Sequence, residues 1–514
     1  MEKNMIPCLR ENENGIETLY VDGRPFLILG GELHNSSSSS PVYMEERVWP
    51  CLRALHLNTV LLAVAWESIE PREGLFDFSL VEAVLKQARR EGVRLVLLWF
   101  GLWKNGESFY VPGWVKEDCN RFFRAVHQNG FASDTVSPFC EVAVEKDRCA
   151  FTALMGYLKE HDEGHTVIMV QVENETGFLK SDRDYSHAAN MKFNEELPEN
   201  VRILYGQEGT WAEVFGENAG EYFMAYYYAC AVEKIAASGK RVLPLPMYVN
   251  AWLEQHPDRA GVYPSGGPVA KLINLWRIAA PSIDMVSPDI YLPDFKGECE
   301  KYHIAGNSLF IPEACKNAVT SSNALYAFAA HNAIGYSPFG IEDILYDHGQ
   351  EMDKSQLQAL NITSDAFYDR ETAPYLTRSY EILYGLWEKL LECRGTDRMI
   401  GFIQGHPYES GCIIPLKKFD LQLDYLCGSP RGTGSAGIIF PEDNGFYIVG
   451  CNVRFSVLPK PGSGVCMGIP GYEEGGFVNG EWVKMRVLNG DEVYDMSLKD
   501  MPQARYVRVY ARRQ

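Results

Sequence analysis

Eight short apolar runs, each followed by a longer amphipathic or helix-like stretch, constrain this 514-residue chain more than any other feature. The runs are Phe26–Gly31, Asn58–Ala65, Arg94–Phe100, Thr166–Val172, Leu245–Asn250, Asp284–Pro288, Ser308–Pro312 and Ile334–Pro338. Each is the length of one strand, and its continuous apolar character is that of a strand covered on both faces. Between them lie Met44–His56, with Trp49, Leu52 and Leu55 at helical spacing, then Leu80–Glu91, Val142–Glu160, Glu221–Ser238, Val269–Ala280 and Ala324–Asn332. Strand and helix alternating eight times, with no antiparallel hairpin between the repeats, predict a closed (β/α)8 TIM barrel and not an open sheet.

A helical segment at Tyr375–Leu391 closes this region. From Gly401 the pattern becomes short β-rich runs (Cys412–Leu416, Gly437–Phe440, Phe446–Cys451, Arg505–Tyr510) separated by turns such as Pro459–Gly464. The chain therefore divides into a barrel with an N-terminal extension, residues 1–392, and a smaller all-β accessory domain, residues 393–514. The accessory domain holds Trp482 and several tyrosines without an evident aromatic platform. Its expected role is packing or oligomerisation, the protein forming a homo-oligomer.

A hydrophobic content of 46% supplies a large interior, and a formal charge of −20 excludes nucleic acid and anionic membrane surfaces as partners. No stretch approaches the roughly 18 apolar residues of a membrane span. The N-terminus MEKNMIPCLRENENG lacks the basic start and apolar run of a secretory signal. Thirteen cysteines lie scattered without a CxxC pair, several in apolar runs (Cys51, Cys230, Cys451), so neither a zinc framework nor a disulfide scaffold is expected. A reducing cytoplasm is the economical location. No HExxH, P-loop or well-placed GxGxxG is present, so no metal and no cofactor is expected.

Active sites of TIM barrels form at the carboxyl ends of the strands. The fourth strand ends VIMVQVENETG, bringing Glu173, Asn174 and Glu175 to that rim, and the seventh ends SLFIPEA, bringing Glu313 there. Strands four and seven stand on opposite sides of an eight-stranded barrel, so their terminal carboxyls face one another across the mouth. Such a pair suits glycoside hydrolysis, in which one carboxyl protonates the leaving oxygen and the other works on the opposite face of the sugar. Trp66, Trp99, Trp103, Trp114 and Trp252 fall at or beyond strand ends, where their rings would stack on sugar C–H faces. Glu32, His34, Lys104, Asn105 and Asn250 stand ready for sugar hydroxyls, and Tyr291 as a donor to Glu313.

The chain resembles glycoside hydrolase family 35 of clan A, the retaining β-galactosidases, and most of all bacterial members with an extra β-rich C-terminal domain. The resemblance rests on VAWESIEPREGLFDFS, VQVENETG and the seventh-strand glutamate. It rests also on GGELHNSS at residues 30–37, WKNG and YVPGWVK within 103–117, FMAYYYA at 223–229 and PLPMYVNAWL at 244–253. It implies that Glu175 is the acid/base, Glu313 the nucleophile and Asn174 the partner of the sugar 2-hydroxyl. Glu173 belongs to the motif without being its catalyst, and strand alternation turns it to the face opposite Asn174. Partial burial and the charge of Glu313 would raise the pKa of Glu175 so that it holds its proton. The implied substrate is an oligosaccharide with a terminal β-galactoside.

One departure stands beside the site. The family segment Trp-Asn-x-His-Glu-Pro reads Trp66-Glu67-Ser68-Ile69-Glu70-Pro71 here, without the histidine. This leaves other exo-glycosidases open, an arabinopyranosidase or a fucosidase, because small changes at hydroxyl contacts switch the sugar. A carbohydrate-binding protein that has lost catalysis is the reading from another class, and the presence of both Glu175 and Glu313 speaks against it.

Overall fold

The structure, a computed structural model, describes residues 5–345, 372–426, 432–488 and 490–513. Eight parallel strands close into a barrel: β4 (Ile28–Glu32), β5 (Thr59–Ala65), β6 (Arg94–Lys104), β9 (Val167–Asn174), β10 (Met247–Trp252), β11 (Met285–Ile290), β12 (Phe310–Ala314) and β13 (Gly335–Pro338). Each contains or overlaps one of the eight apolar runs. The continuous apolar pattern has a plain cause, since one face of every strand fills the barrel and the other lies under a helix. Ile28, Leu61, Val96, Leu98, Ile168, Met169, Met285, Phe310 and Ile334 pack inside, while Leu62, Val64, Leu97, Val170 and Val249 pack outward against the helical layer.

Two antiparallel elements interrupt this plan. An N-terminal sheet of β1 (Cys8–Glu11), β2 (Glu17–Val21) and β3 (Arg24–Phe26) places Leu19 and Val21 in the inner core, stopping one end of the barrel. Contrary to the hairpin-free alternation expected, β7 (Arg124–Val126) and β8 (Ala132–Val136) pair antiparallel inside the insert after β6. The hairpin loop contains Asn129-Gly130, with Gly130 at φ 85°, a conformation that glycine adopts without the Cβ penalty.

Beyond the helices Thr372–Gly385 and Trp387–Cys393, the C-terminal strands form two antiparallel sheets, one of six strands and one of four. Phe419, Leu421, Leu423, Phe446, Ile448, Phe455 and Val507 fill the core between them. Ile438, Phe440 and Val449 join the helical layer of the barrel instead. Tyr375 donates to Asp500 at 2.5 Å, and the Gly480 N–H to the Gly385 carbonyl at 2.8 Å, tying the two regions together.

Candidate active site

The site is organised around the end of β9, where the chain leaves the sheet in an unusual conformation. Glu173 has φ 63° and Glu175 φ 44°, both in the left-handed region that side chains with a Cβ disfavour. Non-glycine residues stay there only when their surroundings hold them. On one side the neighbouring strand supplies the restraint. Trp99 of β6 pairs with Val172 and Lys104 with Asn174, so β6 inserts a bulge between those two pairs. The bulge leaves the N–H groups of Leu102 and Trp103 outside the ladder. Glu173 accepts both, at 3.2 and 2.7 Å, and Asp147 from the helix Glu141–His161 accepts Leu102 as well, at 2.8 Å. Glu173 thus serves the backbone behind the site, on the face away from Asn174.

On the other side, Asn250 of β10 holds the loop. Its Oδ1 accepts the Glu175 N–H at 2.9 Å. Its Nδ2 lies 2.8 Å from Asp289, 3.2 Å from Asn174 and 3.3 Å from Glu313. Tyr291, just past β11, donates to Glu313 Oε2 at 2.7 Å. Carboxylate oxygens of Glu175, Asp289 and Glu313 all lie within 4.8 Å of one another. The three side chains are buried, and Glu32 at the end of β4 is fully so, with neither carboxyl oxygen hydrogen-bonded.

So many acids in one enclosed space raise the cost of ionising each. The pKa of Glu175 is pushed up to about 8, first by burial and then by the charge of Glu313, against the opposing pull of Lys104 and a hydrogen bond with Asp289. Burial and Glu313 likewise raise Glu32 and Asp289 well above the ordinary carboxylate range. Behind them, burial and the charge of Asp147 raise Glu173. An acid that keeps its proton near neutrality therefore faces a carboxyl that receives hydrogen bonds from Tyr291 and Asn250.

The other residues singled out from the sequence fall into distinct places. Asn105 (φ 53°) accepts from Asn174 Nδ2 at 3.3 Å, and Lys104 sits nearly buried with its ammonium 5.0 Å from the Phe100 ring centre. His34 is tied to Asp343, with its ring edge-on to Phe339, and belongs to a neighbouring cluster. Trp252, 9% exposed at the end of β10, keeps an edge at the surface. Trp66, Trp99 and Trp103 require correction as stacking surfaces: all three are wholly buried. Their indole N–H groups are spent on Glu70, Asp147 and the Val136 carbonyl, each within 2.9 Å, so no ring face is open to a sugar. Trp114 packs edge-on against Trp66 and bonds the Glu70 carbonyl.

Glu67, which departs from the family pattern, pairs with Lys116 at 2.8 Å. With Ile69 it lines a cavity of about 190 Å³ between β5 and the helix Ser79–Glu91, separate from the acid cluster. Asp289 was not among the sequence candidates. Its signal was the one that marked Glu313, a carboxyl at the end of an apolar strand, and the two are register partners across β11 and β12. Glu175, Asp289 and Glu313 are also the one group among the described residues spaced to hold a metal ion.

Residues 18–240 match the model of glycosyl hydrolases family 35. Over this stretch, most of the barrel, the chain is similar to that family. A second model, a domain of unknown function (DUF5597), matches residues 376–499, taking in the last helices with most of the β-rich region. A β-galactosidase of Xanthomonas manihotis is 30% identical over 171 residues, 32% of this chain and 26% of the relative. A β-galactosidase of Mus musculus is 30% identical over 194 residues, 37% of this chain and 28% of the relative. The chain thus spans little more than a quarter of the length of these relatives. Among solved structures, a GH42 β-galactosidase from G. stearothermophilus superposes with a TM-score of 0.51 at 11% identity, over 95% of this chain and 98% of that one, a likeness of fold alone. Within the family 35 match lies Glu175; Glu313 lies beyond it and is placed by the geometry of β12. No described helix is long and apolar enough to cross a membrane.

Proposed function

We propose that this chain is a retaining exo-β-galactosidase acting on terminal β-galactosides of oligosaccharides, with Glu175 as acid/base and Glu313 as nucleophile. One observation carries the reading: the two buried carboxyls, from β9 and β12, approach within 4.8 Å across the barrel mouth. Retaining enzymes hold their carboxyl groups about 5–5.5 Å apart, whereas inverting enzymes leave room for a water between them. In the first half-reaction a Glu313 oxygen bonds to the anomeric carbon as the bond to the leaving oxygen breaks. Glu175 passes its proton to that oxygen. Water then attacks the same carbon, its proton goes to Glu175, and Glu313 departs. Once Glu313 is esterified its charge is gone, so Glu175 becomes more acidic and fit to act as the base.

The departures at Glu67 and Ile69 keep a second sugar in view. Glu67 is engaged by Lys116, so the polar contact that the family pattern supplies at this position is redirected. A panel of aryl β-galactoside, arabinopyranoside and fucoside tests the choice. Turnover of the β-galactoside with release of the β-anomer, seen by proton NMR within the first turnovers, supports the proposal. Turnover of another glycoside alone overturns the sugar, and release of the α-anomer overturns retention. A cytoplasmic setting and a homo-oligomeric state complete the reading, tested by cell fractionation and by light scattering.

A further inference from the structure

Asp289 has no role in the chemistry just described, yet it lies inside the cluster. It is 2% exposed, more enclosed than Glu175 at 7%. Its Oδ2 accepts from Asn250 at 2.8 Å, whereas its Oδ1 is buried and receives no hydrogen bond from an N–H or O–H donor. Carboxyl oxygens of Asp289 and Glu175 lie within 4.8 Å of each other in this enclosed space. Two carboxyls in that relation repel unless a proton lies between them.

The groups around Asp289 decide where that proton belongs. Glu32 from β4, Glu175 from β9 and Glu313 from β12 all act on it with the same sign, and the hydroxyls of Tyr248 and Tyr291 are neutral. Lys104 from β6 is a cation that reaches Glu32 and Glu175. If the shared proton were the one that Glu175 must surrender, Asp289 would compete with the leaving oxygen for it. If it belongs to Asp289, Glu175 keeps a proton of its own free for the substrate, and the carboxylate left behind is met by a donor already in place.

Building on the glycosidase reading, we propose that Asp289 works as a neutral carboxylic acid that donates a hydrogen bond to Glu175, a positioning residue for the acid/base. Its proton stays on Asp289 through both half-reactions; only the Glu175 proton travels, to the leaving oxygen and back from water. Enclosed sites can keep a carboxylic acid neutral so that it serves as a donor. An amide reproduces a neutral acid in both shape and donor, whereas it replaces an ionised one poorly.

Amide and alanine variants therefore separate the possibilities. Asp289→Ala is expected to lower kcat about 100-fold, the scale of a lost hydrogen bond to a charged group. It also moves the alkaline limb of the pH profile upward, because Glu175 loses the donor that favours its ionised form. Asp289→Asn is expected to recover at least about tenfold of that loss and to restore the limb. Isotope-edited infrared spectra of the substrate-free enzyme at pH 7 should contain a carboxylic C=O band that disappears in Asp289→Asn, a readout that needs neither turnover nor the alanine variant. An amide variant as inactive as alanine, an alanine variant without effect, or no such band overturns the proposal. So does calorimetric binding of Mg²⁺, Ca²⁺ or Mn²⁺ by the intact protein that Asp289→Asn abolishes. Failure of the glycosidase reading appears separately, as wild-type protein that cleaves no glycoside.

Discussion

Asn250 holds Glu175 by its backbone: the amide oxygen accepts the Glu175 N–H at 2.9 Å at a residue whose φ is 44°. The left-handed turn and the aim of the Glu175 side chain therefore depend on a side chain from the adjacent strand. Asn250→Ala removes this acceptor together with the donor shared by Asp289, Asn174 and Glu313. The expected outcome is a fall in kcat/KM of about 100-fold or more, in line with the loss of more than one hydrogen bond to charged groups. Asn250→Asp should be worse, because it adds a fourth carboxyl beside Glu175, Asp289 and Glu313. Steady-state kinetics with a thermal melt of each variant separates this from unfolding.

Tyr291 offers a cleaner deletion, since Tyr291→Phe removes one hydroxyl and keeps the ring. That hydroxyl donates to Glu313 at 2.7 Å, while Asn250 approaches the other carboxylate oxygen at 3.3 Å. The variant is expected to lose about 10- to 100-fold in kcat, the value of a hydrogen bond to a charged group, with a smaller change in KM. Equal losses in Tyr291→Phe and in a variant of the distant, exposed Tyr408 would show that the contact does not matter.

Much of this arrangement was legible in the residues, and the misses share a cause. Buried parallel strands read as continuous apolar runs, so all eight barrel strands were visible, and with them the rim positions of Glu175 and Glu313. Local turn chemistry is a weaker signal than that larger pattern. Asp22-Gly23 joins β2 to β3 with both residues at positive φ, and Asn129-Gly130 sits in the β7–β8 loop; each dipeptide is a hairpin signal. Trp103 was misplaced because nearness to a strand end was equated with exposure. The bulge in β6 that turns it inward depends on Glu173 and Asp147, which meet only in three dimensions. Asp289 obeyed the same strand-end rule as Glu313.

The pH dependence of activity follows from Glu175. Its pKa of about 8 lies above the ordinary 4.5, so the protonated form needed as the acid dominates below about pH 8 and is lost above it. The alkaline limb of kcat/KM is expected near pH 8 and should be absent in Glu175→Gln, whose residual rate is highest with leaving groups that need no protonation. The sign for stability is the reverse of the usual carboxylate. The folded state holds protons that the unfolded chain releases, so this contribution is complete below about pH 4.5 and is lost as pH rises through about 8. Thermal melts from pH 5 to 9 should show Tm falling through that window, with a shallower fall in Glu175→Gln. A limb that stays near pH 8 in Glu175→Gln would remove Glu175 from the acid role.

Gly101 tests whether the bulge behind the site is as necessary as the site itself. A Cβ at this position would collide with the carboxyl oxygens of Asp147 and Glu173 and with the Trp99 indole nitrogen, all fully buried. None of these can retreat cheaply: Asp147 is bound to Trp99 at 2.8 Å and to the Leu102 N–H, and Glu173 to the Trp103 N–H at 2.7 Å. Gly101→Ala is therefore expected to cost about 1–3 kcal/mol, the usual penalty for overfilling a packed interior. Its effect on kcat should exceed what that destabilisation alone produces, because the displaced bulge carries Lys104 and Asn105, and Asn105 contacts Asn174. Denaturant unfolding measured beside kinetics at a temperature where the variant is fully folded decides the matter. Lost stability with unchanged kcat would confine the bulge to a structural role.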